Sequence, residues 1–221
     1  MFMRLVSEVC GCVLITVMVL VGCGTSARAQ QKPLGANGGQ VDQSAAKRAK
    51  SVKVSVVCLR YNLSELYNCC DNERNLETVC ERLDQAAQDG ADLVLLPMEC
   101  VDTPGEPIPG PVSSAIARKA LEHKMYVIGN IREADGGKTY VTSFLCDRSG
   151  NIVGKYRKSH KMPDETMDLG DELPVFQTDL GKIAMRVGSD RFFVDIDHVY
   201  TAKGATMIYW SQMPEVFEDE Y

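Results

Sequence analysis

Short apolar segments alternate with helical patterns from residue 52 onward. Residues 52–59 form an apolar, β-branched run, which predicts a buried strand. Residues 72–88 have apolar positions at helical spacing, and Gly90 then ends the predicted helix. These positions are Leu76, Val79, Leu83 and Ala86. A second apolar run at residues 91–97 follows, so the segment predicts a βαβ unit.

The second half continues the alternation and adds hairpins. We expect a helix at residues 113–123, with Ser113 or Ser114 as its N-cap. A turn at residues 147–150 predicts one hairpin, and a turn at 178–181 predicts another. Further elements are expected as a strand at 125–130, a helix at 193–203 that ends before Gly204, and a strand at 207–210. Together these elements predict a layered α/β domain.

The N-terminal segment has the pattern of an export signal. Residues 9–21 are nearly all apolar and follow Arg4, which is typical of a signal peptide. The segment ends in Leu20-Val21-Gly22-Cys23, which resembles a bacterial lipobox. That resemblance implies cleavage before Cys23 and acylation of its thiol, and hence a place in the bacterial cell envelope. Simple secretion after cleavage at residues 27–29 and an uncleaved membrane anchor remain as alternatives.

Three regions follow from this pattern: a signal peptide at residues 1–23, a flexible linker at 24–51, and one domain at 52–221. The linker is rich in Gly, Gln, Ala, Ser and Lys and has no hydrophobic period. A tether of this kind lets a domain clear the membrane surface.

Charge and cysteine content exclude some partners. The 221 residues include 24 basic and 30 acidic side chains, for a net charge of -6, and no basic stripe is evident. We therefore expect no nucleic-acid partner. The cysteines form no CxxC pair and have no nearby histidine cluster, so we expect no metal site. Export to an oxidising compartment would permit a disulfide, and we expect buried free thiols with one bridge near Cys69 and Cys70.

Four ordered segments together resemble the nitrilase, or carbon–nitrogen hydrolase, superfamily. They are residues 90–97 followed by Glu99, residues 126–129, residues 154–160, and residues 170–192, which include Val187-Gly188-Ser189-Asp190. The resemblance covers roughly residues 52–213. It implies an αββα sandwich, which family members often pair across their helices as homodimers, and an activity that hydrolyses amide, carbamoyl or nitrile bonds.

The resemblance also assigns roles to individual residues. A thiolate in this family attacks the carbonyl carbon, a glutamate serves as general base, and a lysine stabilises the oxyanion. Glu99 falls on the base and Lys158 on the lysine. A second glutamate that orients these groups is either Glu165 or Glu172. No cofactor is expected.

The sequence departs from the family pattern in three respects. Gly188 stands where the nucleophilic cysteine is expected, and Ser189 is the nearest nucleophile type but one residue later. On an extended segment that step would turn Ser189 to the opposite face. Met98 stands between the proline and Glu99, so that only a β-bulge would restore the orientation of Glu99. The sequence also ends at Tyr221, where family members continue with elements that complete the second sheet.

These departures leave three hypotheses. The first is a nitrilase-fold pseudoenzyme that binds a small amide or carboxylate ligand, or a protein partner. The second is an active hydrolase that uses Ser189 or a water molecule with Glu99 as base. The third is a degenerate product with no function of its own. Gly188 favours the first or third, and the retained Glu99 and Lys158 favour a site that still binds a ligand.

Overall fold

The computed structural model describes residues 52–57, 72–101 and 103–212, and the side chains of residues 72–75 are not described. The signal peptide, the lipobox cysteine Cys23, the linker and the disulfide expected near Cys69 and Cys70 lie outside these ranges. Within them, no helix combines the length and apolar character that a membrane crossing requires. Cys80, Cys100 and Cys146 are free thiols.

The first sheet has five strands in the order of the chain. They are β1 (Val54–Val56), β2 (Leu93–Leu95), β3 (Tyr126–Asp135), β4 (Lys138–Cys146) and β5 (Ile152–Arg157). The first three strands run parallel, and the last two are added by antiparallel hairpins. The apolar runs form the parallel strands because their side chains are buried on both faces of the sheet.

Two helices cover the outer face of this sheet. They are α1 (Asn72–Gln88) and α2 (Pro111–His123). Their apolar positions, among them Val79, Leu83 and Ile116, are fully buried against alternate residues of β2, β3 and β4. The apolar positions that predicted α1 therefore form the helix face that packs against the first sheet. Gly90, with φ +76°, lies in the turn after the helix.

The expected N-cap of α2 was wrong. The helix begins at Pro111, with Gly110 as N-cap, so Ser113 lies inside the first turn. The Glu106 carboxylate accepts hydrogen bonds from the backbone N–H groups of Val112 and Ser113, each at 3.0 Å. A buried side chain from an earlier loop thus satisfies the free donors that a local serine was expected to satisfy.

The second sheet is smaller and faces the first. It contains β6 (Phe176–Thr178), β7 (Gly181–Val187) and β8 (Met207–Ser211), in that order. A 3₁₀ helix (Gly188–Phe192) follows β7 directly, and α3 (Val194–Ala202) then leads to β8. Ile196 and Tyr200 of α3 are buried against Ala184 and Ile208 of this sheet.

Apolar side chains from the facing sides of both sheets form one core. It joins Leu95 and Ile128 of the first sheet to Ile183, Met185 and Tyr209 of the second. With helices outside each sheet, the layers are those of an αββα sandwich. The sandwich brings the carboxyl end of β7 to the loop that follows β5, and the candidate site lies there.

Candidate functional site

The turn after β7 holds Gly188 in a conformation that favours glycine. Its φ is +50°, a value that residues with a Cβ rarely adopt. Val187 is still extended, and the chain enters the 3₁₀ helix at Gly188, so the direction reverses sharply at this position. The sharp turn expected from the sequence is therefore present, at the residue where the nucleophile was expected.

The buried carboxylate of Asp190 fixes this turn against the loop after β5. Its Oδ2 accepts hydrogen bonds from the Tyr156 hydroxyl at 2.7 Å and from the Val187 backbone N–H at 3.0 Å. Its Oδ1 accepts the His160 backbone N–H at 3.0 Å. Asp190 is fully buried, and its bonds from Tyr156 and Val187 lie away from water. The carboxylate therefore sets the position of Gly188 relative to the loop that carries Lys158.

Lys158 lies at the end of β5 with its side chain completely buried. Its ammonium group donates a hydrogen bond to Glu165 Oε1, and Glu165 Oε2 accepts the Met162 backbone N–H at 2.8 Å. Burial alone would raise the pKa of Glu165, but the hydrogen bonds from Lys158 and Met162 outweigh it and lower that pKa. The glutamate thus stays ionised and neutralises the buried lysine.

Between the two candidates for a second glutamate, the structure brings Glu165 to the site. Glu172 is exposed and lies beyond the loop that holds Lys158. The sequence alone left this choice open because both residues lie at plausible spacing in a segment without regular structure.

The space above Gly188 is bounded by Lys158 and by Met98. A Cβ placed on Gly188 would lie 3.4 Å from Lys158 Nζ and 3.1 Å from Met98 Sδ. A side chain at position 188 would therefore point at the lysine, as the family chemistry requires. The neighbour on the other side is a buried thioether, which takes no proton.

Glu99 occupies a turn and is paired with an arginine. Its φ is +48°, and its backbone N–H donates to Asn130 Oδ1 at 2.9 Å. Its Oε1 accepts hydrogen bonds from Arg132 Nε at 3.1 Å and Nη2 at 2.8 Å. The turn directs Met98 toward Gly188 and Glu99 toward Arg132, so the β-bulge considered from the sequence is not the arrangement found. The base role of Glu99 stays a prediction.

Ser189 lies at the site, although an extended segment would have turned its side chain to the opposite face. Because residues 188–192 form a 3₁₀ helix, the alternation of an extended strand does not apply to it. The Ser189 hydroxyl donates to the His160 carbonyl at 3.1 Å and approaches Glu165 Oε2 at 3.5 Å. The structure therefore brings Ser189, Glu165 and Lys158 into one cluster.

His160 forms the outer wall of this cluster. Its ring stacks on Phe193 with 3.9 Å between ring centroids, and its Nδ1 lies 3.0 Å from the Ser159 hydroxyl. These contacts give His160 a structural role at the edge of the cluster. The sequence analysis did not predict Met98 or Arg132 as site residues. The one sequence signal was Met98 itself, which stands between Pro97 and Glu99.

Among the residues that the structure describes, a cluster of possible metal ligands and a groove lie away from this site. Asp84, Glu122 and His123 converge between α1 and α2, but Asp84 already binds Lys119 Nζ at 2.7 Å. An ammonium group at that position repels a metal cation. A groove of about 520 Å³ between α2 and the turn joining β4 to β5 includes Leu121 in its lining and no residue of the Lys158 cluster.

The sequence profile of the carbon–nitrogen hydrolases matches residues 53–218, which is most of the chain. The chain belongs to the carbon–nitrogen hydrolase family. Among curated carbon–nitrogen hydrolase relatives, omega-amidase NIT2 of Xenopus tropicalis is 31% identical over 155 residues, which are 61% of this chain and 56% of that protein. Omega-amidase NIT2 of Bos taurus is 28% identical over 170 residues, 67% of this chain and 61% of that protein. The chain thus spans a little over half the length of these relatives.

Solved carbon–nitrogen hydrolase structures share the fold. Nit3 of Saccharomyces cerevisiae superposes with a TM-score of 0.59 at 23% identity, over 67% of this chain and 60% of that one. An amidase from Nesterenkonia sp. gives a TM-score of 0.63 at 18% identity, over 78% of this chain and 68% of that one. At these identities the likeness shows the αββα fold alone.

Proposed function

We propose that this carbon–nitrogen hydrolase homologue binds a small amide or carboxylate ligand and does not cleave it with the family's machinery. One observation carries the proposal: the position that faces Lys158 is Gly188, and its other neighbour is the Met98 thioether. Neither of the two positions beside this space therefore supplies a nucleophile or a base.

The missing groups are those that make and break bonds. Attack on an amide carbon requires a nucleophile, and a base must take the nucleophile's proton. Glycine and methionine do neither. Without these two groups the barrier to cleavage stays high even for a bound amide.

The remaining groups suit recognition of a carboxamide. The Lys158 ammonium donates hydrogen bonds to a carbonyl oxygen, and the ionised Glu165 carboxylate accepts them from an amide nitrogen. Because the pair is neutral overall, an uncharged amide group matches it better than a second charge would.

Binding requires Met98 to move. Lys158 has no exposed side-chain surface, and Met98 packs beside the space above Gly188. Methionine is unbranched and flexible, so it can leave this space with little cost in side-chain strain. We infer that Met98 is displaced when a ligand reaches Lys158.

A second candidate function is hydrolysis by Ser189. The observation in its favour is the approach of the Ser189 hydroxyl to Glu165 at 3.5 Å. Against it, the hydroxyl already donates to the His160 carbonyl, and Glu165 is held ionised by Lys158 with a lowered pKa, which makes it a weak base.

The test measures ammonia release from simple amides, omega-amides, carbamoyl amino acids and nitriles. We expect no release by the natural chain and none by Gly188→Cys, because the thiol still lacks a base. The double variant Gly188→Cys/Met98→Glu should gain release, since both groups then flank Lys158. Gly188→Ala/Met98→Glu is the matched control without a thiol.

A second measurement tests binding by calorimetry. Saturable amide binding by the natural chain should be lost in Lys158→Met and kept in Lys161→Met, whose side chain is exposed. Ammonia release by the natural chain that disappears in Ser189→Ala would replace our proposal with the second candidate. Absence of saturable binding to every compound would also refute it.

The homodimer and the export to the cell envelope expected from the sequence remain proposals. Acylation at Cys23 would be tested by mass spectrometry of the mature N-terminus, with Cys23→Ser as the control.

A further inference from the structure

The structure carries a cation close to the candidate site that the family chemistry does not use. Arg132 is 37% exposed and lies on β3, whereas Glu99, its partner, is only 10% exposed. The guanidinium is thus paired with a largely buried carboxylate, while more than a third of the arginine side chain is exposed to solvent.

Strand register places Arg132 in the same row as Lys158. Arg132 is paired with Val141 across β3 and β4. The backbone N–H of Lys158 donates to the Val141 carbonyl at 2.9 Å, which continues the pairing of β4 with β5. Two strand spacings separate the backbones of Arg132 and Lys158, or about 10 Å.

The two cations lie on the same face of the sheet. Side chains along a strand alternate between faces, and Ile128 and Tyr156 both belong to the core between the two sheets. Arg132 is four residues from Ile128 and Lys158 is two residues from Tyr156, so both point to that side. Val141, between them in the row, belongs to the same core.

The turn at residues 98–99 joins the two positions. Met98 packs beside the space above Gly188, and the next residue, Glu99, holds Arg132. The two residues of this turn thus contact the two ends of the proposed site, Met98 beside Gly188 and Glu99 at the guanidinium.

The contacts of Arg132 leave donors for a ligand. Within the described ranges its hydrogen bonds run from Nε and Nη2, and both go to a single oxygen of Glu99. A guanidinium has five N–H donors, and its planar edge matches a carboxylate. The Nη1 side therefore offers the geometry that binds an anion.

We propose that Arg132 is a specificity-determining residue that binds the anionic end of a short linear amide whose amide group lies at Lys158 and Glu165. This inference rests on the proposed function of the same site. The charges agree with it, because the neutral Lys158–Glu165 pair suits the uncharged amide and the half-exposed Arg132 suits the carboxylate.

The test compares two probes that differ in one charge. Succinamate has an amide and a carboxylate, and succinamide is its uncharged diamide. Calorimetry on the natural chain should show tighter binding of succinamate. In Arg132→Gln the preference should fall about tenfold or more, since a charge-assisted hydrogen bond is lost.

A second variant, Glu99→Gln, should change succinamate affinity in the opposite direction. Glu99→Gln removes the carboxylate that competes for the guanidinium, so succinamate should bind more tightly while succinamide binding is unchanged. A purely structural role of the Glu99–Arg132 pair would weaken both probes alike. This variant also decides the question if Arg132→Gln fails to fold. The matched control is Arg148→Gln, because Arg148 is 33% exposed and ion-paired at the other end of the sheet.

Each outcome separates the two proposals. Equal binding of both probes by the natural chain, or an unchanged preference in Arg132→Gln and Glu99→Gln, overturns the role of Arg132 and leaves the proposed amide site intact. Failure of both probes to bind the folded natural chain refutes the proposed function, and the role of Arg132 falls with it.

Discussion

A side chain at position 188 should destabilise the protein by a predictable amount. Gly188 has φ +50°, and an alanine in the left-handed region costs roughly 1–2 kcal/mol. Alanine also restricts the unfolded chain, which offsets that cost by about 0.4–1 kcal/mol. The backbone part of the penalty for Gly188→Ala is thus about 1 kcal/mol.

The contact with Met98 adds a second part. The new Cβ would lie 3.1 Å from Met98 Sδ, so the thioether has to move. Forcing a side chain away from its preferred rotamer costs about 0.5–1.5 kcal/mol. We therefore expect Gly188→Ala to lower the free energy of unfolding by about 2 kcal/mol in total.

Gly136 provides a matched control. Its φ is +59°, and a Cβ there would meet no atom within 4 Å. Gly136→Ala should therefore show the backbone penalty alone, about 1 kcal/mol. Urea denaturation of both variants measures the difference, which is the cost of moving Met98.

A double-mutant cycle isolates that contact. In a Met98→Ala background the thioether is gone, so Gly188→Ala should cost no more than Gly136→Ala. Equal costs of Gly188→Ala and Gly136→Ala in the natural background would refute the reasoning, because Met98 would then not occupy the space beside position 188.

Two further predictions concern buried carboxylates that hold the sheet and the turn in place. Burial raises the pKa of Glu133, but hydrogen bonds from Arg157 and Lys155 dominate and lower it to about 2 from 4.5, so its stabilising contribution is complete above pH 4.5 and is lost as the pH falls toward 2. Glu133→Gln should flatten the dependence of unfolding free energy on pH in this window, and an unchanged slope would contradict the assignment. Asp190→Asn places an amide among several N–H and O–H donors and should cost about 2–3 kcal/mol in urea denaturation, whereas the exposed Asp195→Asn should cost little, and equal effects would show that the Asp190 network is not needed.

The fold could be predicted from local patterns because the apolar positions in those patterns form the faces that pack in the core. The helix at 72–88 and the hairpin around residues 147–150 were confirmed, since periodicity and turn residues act over short distances. The hairpin that joins β3 to β4 was not predicted. It depends on Gly136 and Gly137, both with positive φ, and on polar strand ends that lack an apolar signal.

The site could be predicted only in part. Lys158 and the turn at Gly188 follow from ordered motifs, and the structure brings them together. The direction of Glu99 could not be inferred, because it depends on a single positive φ and on Arg132, which lies 33 residues away in the sequence. Likewise, the 3₁₀ helix that turns Ser189 inward is held by hydrogen bonds from Tyr156 and His160 to Asp190, which are distant in the sequence.

Under the proposed function, the shared space above Gly188 has a consequence for how hydrolysis could arise at this site. Cysteine at position 188 alone would face a thioether, and glutamate at position 98 alone would bury a charge beside Lys158 without a nucleophile to serve. We expect each single change to carry a stability cost and to supply only one of the two groups that cleavage needs. Under that proposal the two positions would have to change together, because neither single substitution supplies both a nucleophile and a base.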